Sequence, residues 1–586
     1  MCNLPSRISK NCSLILLSLY LISLYVLVLC WSAFGFALSS NVIVNNSFLI
    51  TIFSIIITTI VAYYYQYQKI VSTKYIFTNL FIFLSLIVTL ILISTAFWDN
   101  SYDGQTYHLQ GINELNKGWN PFKESLDKSI PNSVFINHYA KSFEIFGSSI
   151  VKLTGDFETA KLSNLILLVA AWALSIAYFK TIFQNSILKS NIYAILVVFN
   201  PIVSTQIFTH LFDCQVGLLF IILLCSFLFY LQKKQWSILF WILSIIILTG
   251  LKFTGLVYVS LLIFGACLYL FLMVNKRNAY YWSGITFITI LCSVCFLSYN
   301  PYITNINSGN HIFYPLMGKN KVNIMIGTNS PRSFERKNRF EKFILANTAS
   351  SSNIHGALIA PEPKFKYPYK VEVKEWLVFK SAGVLFGGFG PLFFAILILS
   401  CALLVYFICS TYNYKKELIY LLALMGSSVF INPECWLPRY VPQLWLFPII
   451  VIITFDIQNK KKWLTRLLQK FTASLIVVNS MCILMISILS NIIITQQQKN
   501  EYAWISKTDA KVKVISNTFI SNTFRLNKYG ISYQEIKQED SSLRASSLVF
   551  KPISSSAVIL LPKNTPPYHA SGFFKYLESK IKKGNE

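Results

Sequence analysis

Asp99 and Asp103 stand in the polar stretch Trp98-Asp99-Asn100-Ser101-Tyr102-Asp103-Gly104-Gln105-Thr106-Tyr107-His108, directly after a long apolar run. A carboxylate held at the edge of a hydrocarbon layer loses part of its hydration. That loss disfavours the charged form and makes the group a stronger base. Asp103 is therefore a candidate to take a proton from a substrate hydroxyl. His108, beside Tyr107, is a candidate support for it through a hydrogen bond, and Asp99 and Tyr107 are candidate substrate contacts. A structural duty fits the same residues, because an Asp before the series Tyr107, Gly111, Leu115 is a helix N-terminal signal, and one turn of helix offers a histidine many partners.

Further polar groups interrupt apolar sequence downstream. Lys252 lies in Thr249-Gly250-Leu251-Lys252-Phe253-Thr254-Gly255-Leu256. It is either a snorkelling lysine at a span end or an interfacial ammonium placed for a phosphate. Arg439 and Tyr440 lie in Asn432-Pro433-Glu434-Cys435-Trp436-Leu437-Pro438-Arg439-Tyr440. A guanidinium there holds a phosphate with two donors or pairs with Glu434. His210 and Asp213 form a His-x-x-Asp pair that suits a metal or a sugar hydroxyl, or makes a polar turn at the interface. His311 and Tyr314, in Gly309-Asn310-His311-Ile312-Phe313-Tyr314-Pro315, offer rings for a sugar face or for an interfacial aromatic belt.

The elements that must position these residues are membrane helices. The 586 residues are 54% hydrophobic and 13% charged, a balance a water-soluble globular chain does not reach. Runs long enough to cross ~30 Å of hydrocarbon at 1.5 Å per residue occur near Ser13–Phe36, Phe48–Tyr64, Tyr75–Phe97, Leu162–Ile182, Ile192–Phe208 and Cys214–Leu231. Others follow near Trp236–Leu251, Gly255–Val274, Tyr281–Leu297, Gly383–Cys409, Leu418–Ile431, Val441–Phe455 and Phe471–Ile494. The expected fold is an all-α polytopic membrane protein of about thirteen spans over residues 1–495. Residues 496–586 are expected to form a small α/β domain outside the membrane. Its strand-like runs are Lys511–Ile515 and Ala557–Leu561, and an amphipathic helix is expected over Gly572–Ile581.

Charge orients the array. The chain carries 51 Lys and Arg against 24 Asp and Glu, a net +27. The basic clusters Arg7/Lys10, Lys69/Lys74, Lys180/Lys189, Lys233/Lys234, Lys276/Arg277, Lys415/Lys416 and Lys460–Lys462 with Arg466 fall in alternate connections. That side is expected to be cytoplasmic, with the N-terminus. The loops 98–161 and 298–382, the short links around residues 210–213 and 432–440, and the C-terminus then face outward. An inner (plasma) membrane location is the expectation, and the excess charge needs no nucleic-acid partner to explain it.

Asp103-x-x-x-Tyr107, ten further residues and Gly118, with Trp119 and Pro121 beyond, resembles the first external loop of GT-C-type membrane glycosyltransferases. The likeness is to the branch related to protein O-mannosyltransferases and aminoarabinose lipid A transferases. It covers about Tyr75 to Phe455. It implies that Asp103 deprotonates or orients an acceptor hydroxyl during inverting transfer from a polyprenyl-phosphate sugar. Lys252 resembles that family's lysine hairpin at the lipid phosphate, Arg439-Tyr440 its late Arg-Tyr element, and Asp213 its second acidic residue. The implied partners are a polyprenyl-phosphate-linked sugar donor, a glycan, lipid or protein acceptor, and membrane lipids. No cofactor is certain. Gly104 replaces a Glu common at this point in the family, which removes a metal ligand and leaves a divalent cation requirement open.

Rival functions are a transporter or flippase for lipid-linked glycans and a repeat-unit polymerase, the latter kept in view by Arg332, Arg336 and Arg339 in the second large loop. A transporter places its site near mid-membrane, often between two related halves, whereas the candidates here map to one face and no repeat is evident. No Walker loop, zinc-finger spacing or GxSxG occurs, so soluble NTPase and hydrolase readings find no support. The 12 cysteines fall mostly in or beside apolar runs, Cys292-x-x-Cys295 among them, and no disulfide framework is expected.

Overall fold

The computed structural model describes residues 7–38, 73–184, 186–325, 329–353, 360–410, 413–458, 462–508, 511–536 and 546–568. Within hydrocarbon a backbone must satisfy its own polar groups, so apolar runs coil into helices even where Ile, Val and Phe dominate. Seven helices among the described residues are long and apolar enough to cross a membrane: Ser13–Ala37, Phe77–Ala96, Phe157–Ile182, Asp213–Leu231, Phe253–Val274, Lys276–Leu297 and Trp463–Ile505. Shorter apolar helices are Ile187–Val198, Ser237–Leu251, Phe393–Cys409 and Pro442–Ile457, and Lys415–Phe430 lies beside them. This is a multi-pass membrane protein. The expected span Phe48–Tyr64 and the expected helix Gly572–Ile581 lie outside the described residues.

Among the described residues, the expected spans are not uniform helices. The run expected over Ile192–Phe208 breaks in two. Helix Ile187–Val198 stops, Asn200 caps a new start by accepting from the amides of Ile202 and Val203 at 3.0 Å each, and Pro201 opens Pro201–Gln206. Proline lacks the amide that an unbroken helix would need at that point. The run expected from Gly383 is helical only over Phe393–Cys409. Upstream of it, strand β2 (Val384–Phe386) pairs antiparallel with β1 (Ser352–Asn353), and Gly387 and Gly390 take left-handed φ values.

One large apolar core joins the first helix to Phe157–Ile182, Ile187–Val198, Asp213–Leu231 and Ser237–Leu251. Buried polar side chains pin the packing: Ser18 Oγ donates to the Ala170 carbonyl at 2.8 Å and Tyr25 Oη to Gln215 Oε1 at 3.1 Å. In a solvent without water, such groups need a partner on a neighbouring helix. The last helix, Trp463–Ile505, has 43 residues, about 65 Å at 1.5 Å per residue, more than twice the hydrocarbon thickness. It therefore runs out of the array without a linker at residue 495. Its end packs against the four-stranded sheet of β3 (Val512–Ile515), β4 (Tyr533–Glu535), β5 (Ser547–Phe550) and β6 (Val558–Pro562). The order is β4-β3-β6-β5, with β3 parallel to β4 and antiparallel to β6, and β5 antiparallel to β6. The two strand-like runs read from the sequence are β3 and β6.

Candidate active site at the helix ends

Four charged groups from distant parts of the chain meet where the helices emerge on the face carrying the first loop. Arg439 Nη1 stands 3.3 Å from Asp103 Oδ2, and Lys252 Nζ stands 2.5 Å from Asp213 Oδ1. Tyr440 joins the two pairs, with Lys252 Nζ 4.2 Å and Arg439 Cζ 5.2 Å from its ring centre. Burial works against the Arg439 charge, but Tyr440, Asp103 and Asp213 outweigh it and hold the guanidinium above its ordinary range. The cations are half-buried, which keeps them available to a ligand.

Local sequence explains each placement. Asp103 opens a π-helical turn, Gly104–His108, and makes no capping bond with its side chain. A Cβ on Gly104 would fall 2.2 Å from Asp99 Oδ2 and 2.4 Å from Ser101 Oγ. The Asp99–Ser101 turn thus fills the room that a glutamate at 104 would require. Lys252 is a one-residue extended link, φ −156° and ψ 146°, between helices Ser237–Leu251 and Phe253–Tyr269. The two helices approach so closely that a Cβ on Gly255 would meet the Leu248 carbonyl oxygen at 2.2 Å, and the reversal leaves Lys252 at the tip. Tyr440 is fixed from the array side: Tyr258 Oη donates to its carbonyl at 2.6 Å and itself accepts from Asn432 Nδ2 at 2.9 Å. Glu434 accepts from Trp436 Nε1 at 2.5 Å, so Arg439 pairs with Asp103 rather than with Glu434.

Other candidates stand elsewhere. Asp99, 1% exposed, has Oδ2 3.0 Å from His210 Nδ1, while its Oδ1 accepts from the Ser101 amide and hydroxyl at 2.9 and 2.8 Å. His210 completes its bonding at the Phe157 carbonyl, 3.1 Å away. The His210/Asp213 pair expected from spacing is thereby split, because Phe212 and the helix start at Asp213 turn the two side chains to different partners. His108 Nδ1 lies 2.6 Å from Glu144 Oε1 and its ring packs on Phe212 and Phe143, so the hydrogen bond expected toward Asp103 is made to Glu144. His311 is exposed and accepts from the Phe313 amide at 3.1 Å. Tyr314 meets His138 edge-on at 4.7 Å. Phe313 between them reaches the site's margin by packing on Phe253 at 5.5 Å. Among the described residues, no three His, Cys, Asp or Glu side chains gather as a set able to hold a metal ion.

Beside Asp103 is a small cavity walled by Tyr107, Trp119, Phe135 and Tyr139, with Lys141 and Glu144 at its polar end. Burial, then the charge of Asp103, holds the Tyr107 hydroxyl well above the phenol range, so it stays protonated and can donate a hydrogen bond. Burial pushes the Lys141 ammonium down to about 7 against the opposing pull of Glu144. Lys141 Nζ donates to the carbonyls of Tyr139 at 2.7 Å and Asn137 at 3.3 Å.

No family model matches the chain, and no curated protein matches it. Among solved structures it is similar to the crystal structure of ArnT from Cupriavidus metallidurans bound to undecaprenyl phosphate. The identity is 8% and the TM-score 0.45, over 83% of this chain and 99% of that one.

Sequence reasoning passed over Tyr139, Lys141, Glu144, Glu158 and Arg525. Glu144 and Lys141 sit in an amphipathic helical stretch where any polar residue reads as solvated. Arg525 lies 367 to 426 positions from its hydrogen-bond partners, and no local pattern marks it.

Proposed function

We propose that this chain is an inverting glycosyltransferase that moves a sugar from a polyprenyl-phosphate carrier to an acceptor hydroxyl on the extracytoplasmic face. The observation that carries the reading is the pairing of Asp103 with Arg439 and Asp213 with Lys252 around one tyrosine, at helix ends where a lipid headgroup would lie. Arg439 presents a two-pronged donor set, and Lys252 a compact charge, to the phosphate of a lipid-linked sugar. A phosphate that takes over the donors of Arg439 leaves the Asp103 carboxylate less compensated and therefore more basic. Asp103 then accepts the acceptor's hydroxyl proton as the oxygen bonds to the anomeric carbon. The bond from that carbon to the phosphate oxygen breaks, and the polyprenyl phosphate leaves with the electron pair, its charge held by Lys252 and Arg439. Tyr107 and Tyr440 supply rings for the sugar face. Asp213 holds Lys252 in place.

The transporter reading is disfavoured because these groups collect at helix ends on one face rather than at mid-membrane. The polymerase reading loses force because Arg339 is tied to the Phe430 carbonyl. The test is transfer of radiolabelled sugar from polyprenyl-phosphate donors in membranes, comparing the intact protein with Asp103→Asn at equal expression. Transfer by the intact protein that fails in the variant, with donor binding retained, is the expected result. No transfer with any donor, alongside movement of a lipid-linked glycan across vesicles, would overturn it.

A further inference from the structure

The C-terminal sheet unit is closed around the stretch that carries Asp103. Trp98, 1% exposed, belongs to that unit's apolar core together with Tyr502, Ile505, Val512, Val514 and Leu526. Arg525, on the short helix Ser521–Lys528, lies over the Trp98 ring with its Cζ 4.9 Å from the centre. Its guanidinium is buried and divided among three acceptors. Nη2 donates to the Asp99 carbonyl at 2.7 Å and to Glu158 Oε1 at 3.3 Å, and Nη1 donates to Gln105 Oε1 at 3.1 Å. Ser521 Oγ donates to the same Gln105 oxygen at 2.9 Å, and Gln105 Nε2 donates to the Ser554 carbonyl at 2.8 Å. Tyr102 meets Phe519 edge-on at 5.3 Å.

These contacts fall on residues 98, 99, 102 and 105. They bracket Asp103 on both sides, while its carboxylate is left facing Arg439. The turn they hold is the π-helical one, a geometry that persists where its surroundings support it. A displacement of about 1 Å in a reacting group costs on the order of 10²-fold in rate, so the contacts that hold this turn bear on any reaction at Asp103.

We propose that the C-terminal unit is a positioning clamp, in which Arg525, through the Asp99 carbonyl and Gln105, sets where the Asp103 carboxylate stands relative to Arg439 and Lys252. The inference rests on the glycosyl-transfer reading of that site. Arg525 is a positioning residue and touches no substrate. Its function depends on the planar fork as well as on the charge, since three acceptors are served at once over an aromatic face. A lysine keeps the charge opposite Glu158 but cannot reproduce that fork.

The experiment compares Arg525→Lys in the intact background and in the Asp103→Asn background, with full donor-saturation kinetics in membranes. Expected is a fall in kcat of about 10-fold or more, with KM for the lipid donor within about twofold, and no further loss when Asp103 is already Asn. Such non-additivity is the signature of one residue acting through the other. Equal losses in both backgrounds with a lowered melting temperature would overturn the clamp in favour of general support of the fold, as would an unchanged kcat. Gln105→Leu, which removes the other half of the contact, is expected to repeat the Arg525→Lys result. Hydrogen exchange gives a readout independent of activity. In Arg525→Lys, amides of residues 98–108 are expected to exchange faster while those of 253–274 do not change, and unaltered exchange in 98–108 would overturn the clamp. Absence of transfer by the intact protein would instead overturn the glycosyl-transfer reading, and the exchange result would still decide whether Arg525 holds the turn.

Discussion

Asp99 and Asp103 are one helical turn apart in sequence, and each faces a nitrogen base from far along the chain, yet their surroundings differ. Asp99 is buried with His210, and beside it Glu158 is wedged between Lys161 and Arg525, with every side chain of that group no more than 10% exposed. Around Asp103 three of the four charged groups are partly open: the Asp103 side chain is 29% exposed, Lys252 25% and Arg439 18%, while Asp213, at 8%, is closed beneath Lys252. The first cluster is closed on itself, with bonds to backbone carbonyls at Phe97, Asp99 and Phe157. The second leaves donors facing outward. Similar charged side chains are sealed where water is excluded and accessible where it is not, and an ion pair with no exposed side has nothing left to offer a ligand.

That contrast can be broken experimentally at either end. Asp103→Asn is expected to lower transfer by about 10²–10⁴-fold, the usual range for a general base, while the melting temperature in detergent stays near that of the intact protein. Glu158→Gln should act first on stability. Removing one partner from a buried charge group costs about 3–5 kcal/mol, so a lowered melting temperature and poor yield of folded protein are expected, measured by thermal unfolding of the purified chain. Lys252→Met sharpens the open side. Loss of a charge-assisted contact of about 1.5–3 kcal/mol predicts a KM for the lipid donor raised roughly tenfold to a hundredfold in the same transfer assay.

Least is expected of Lys141→Met, which alters a slope instead of a level. The Lys141 pKa is about 7 in the fold and near 10.4 when unfolded. Between those values the unfolded chain binds a proton that the native one does not, so this group makes stability rise with pH from about 7 upward, whereas below 7 its burial penalty is fully present. Melting curves of Lys141→Met between pH 6 and pH 9, set against those of the intact protein, should lack that part of the rise.

Much of the helical array is legible from apolar runs because hydrocarbon leaves a chain almost no alternative to a helix. Where reading by hydropathy alone failed, local chemistry was the reason: Pro201 behind the Asn200 cap divides one expected span, and Gly387 and Gly390 with the β1–β2 pairing shorten another. Strand β3 is visible as a short alternation and β6 as a short continuous apolar run. The neighbourhood of Asp103, Asp213, Lys252, Arg439 and Tyr440 could be anticipated only as far as membrane topology allowed, since a shared face brings residues to one side without bringing them into contact. Even there, reading by proximity in sequence misled. His108 turns to Glu144 and His210 to Asp99, because which side of a helix a ring leaves by is set by what packs against it.

By itself, then, the sequence determined that the chain is a multi-pass membrane protein, roughly where its helices run, and that its unusual polar residues sit at their ends; hydropathy and chain length suffice for this because each acts within a span of about 20 residues. Tertiary structure alone decided which of those polar residues are sealed and which stay open, and that the helix Ser521–Lys528 of the C-terminal unit contacts the stretch bearing Asp103. Those outcomes depend on contacts such as Arg525 with Gln105, 420 positions apart, whose energy arises from burial and the exclusion of water, and neither exists until the array has assembled.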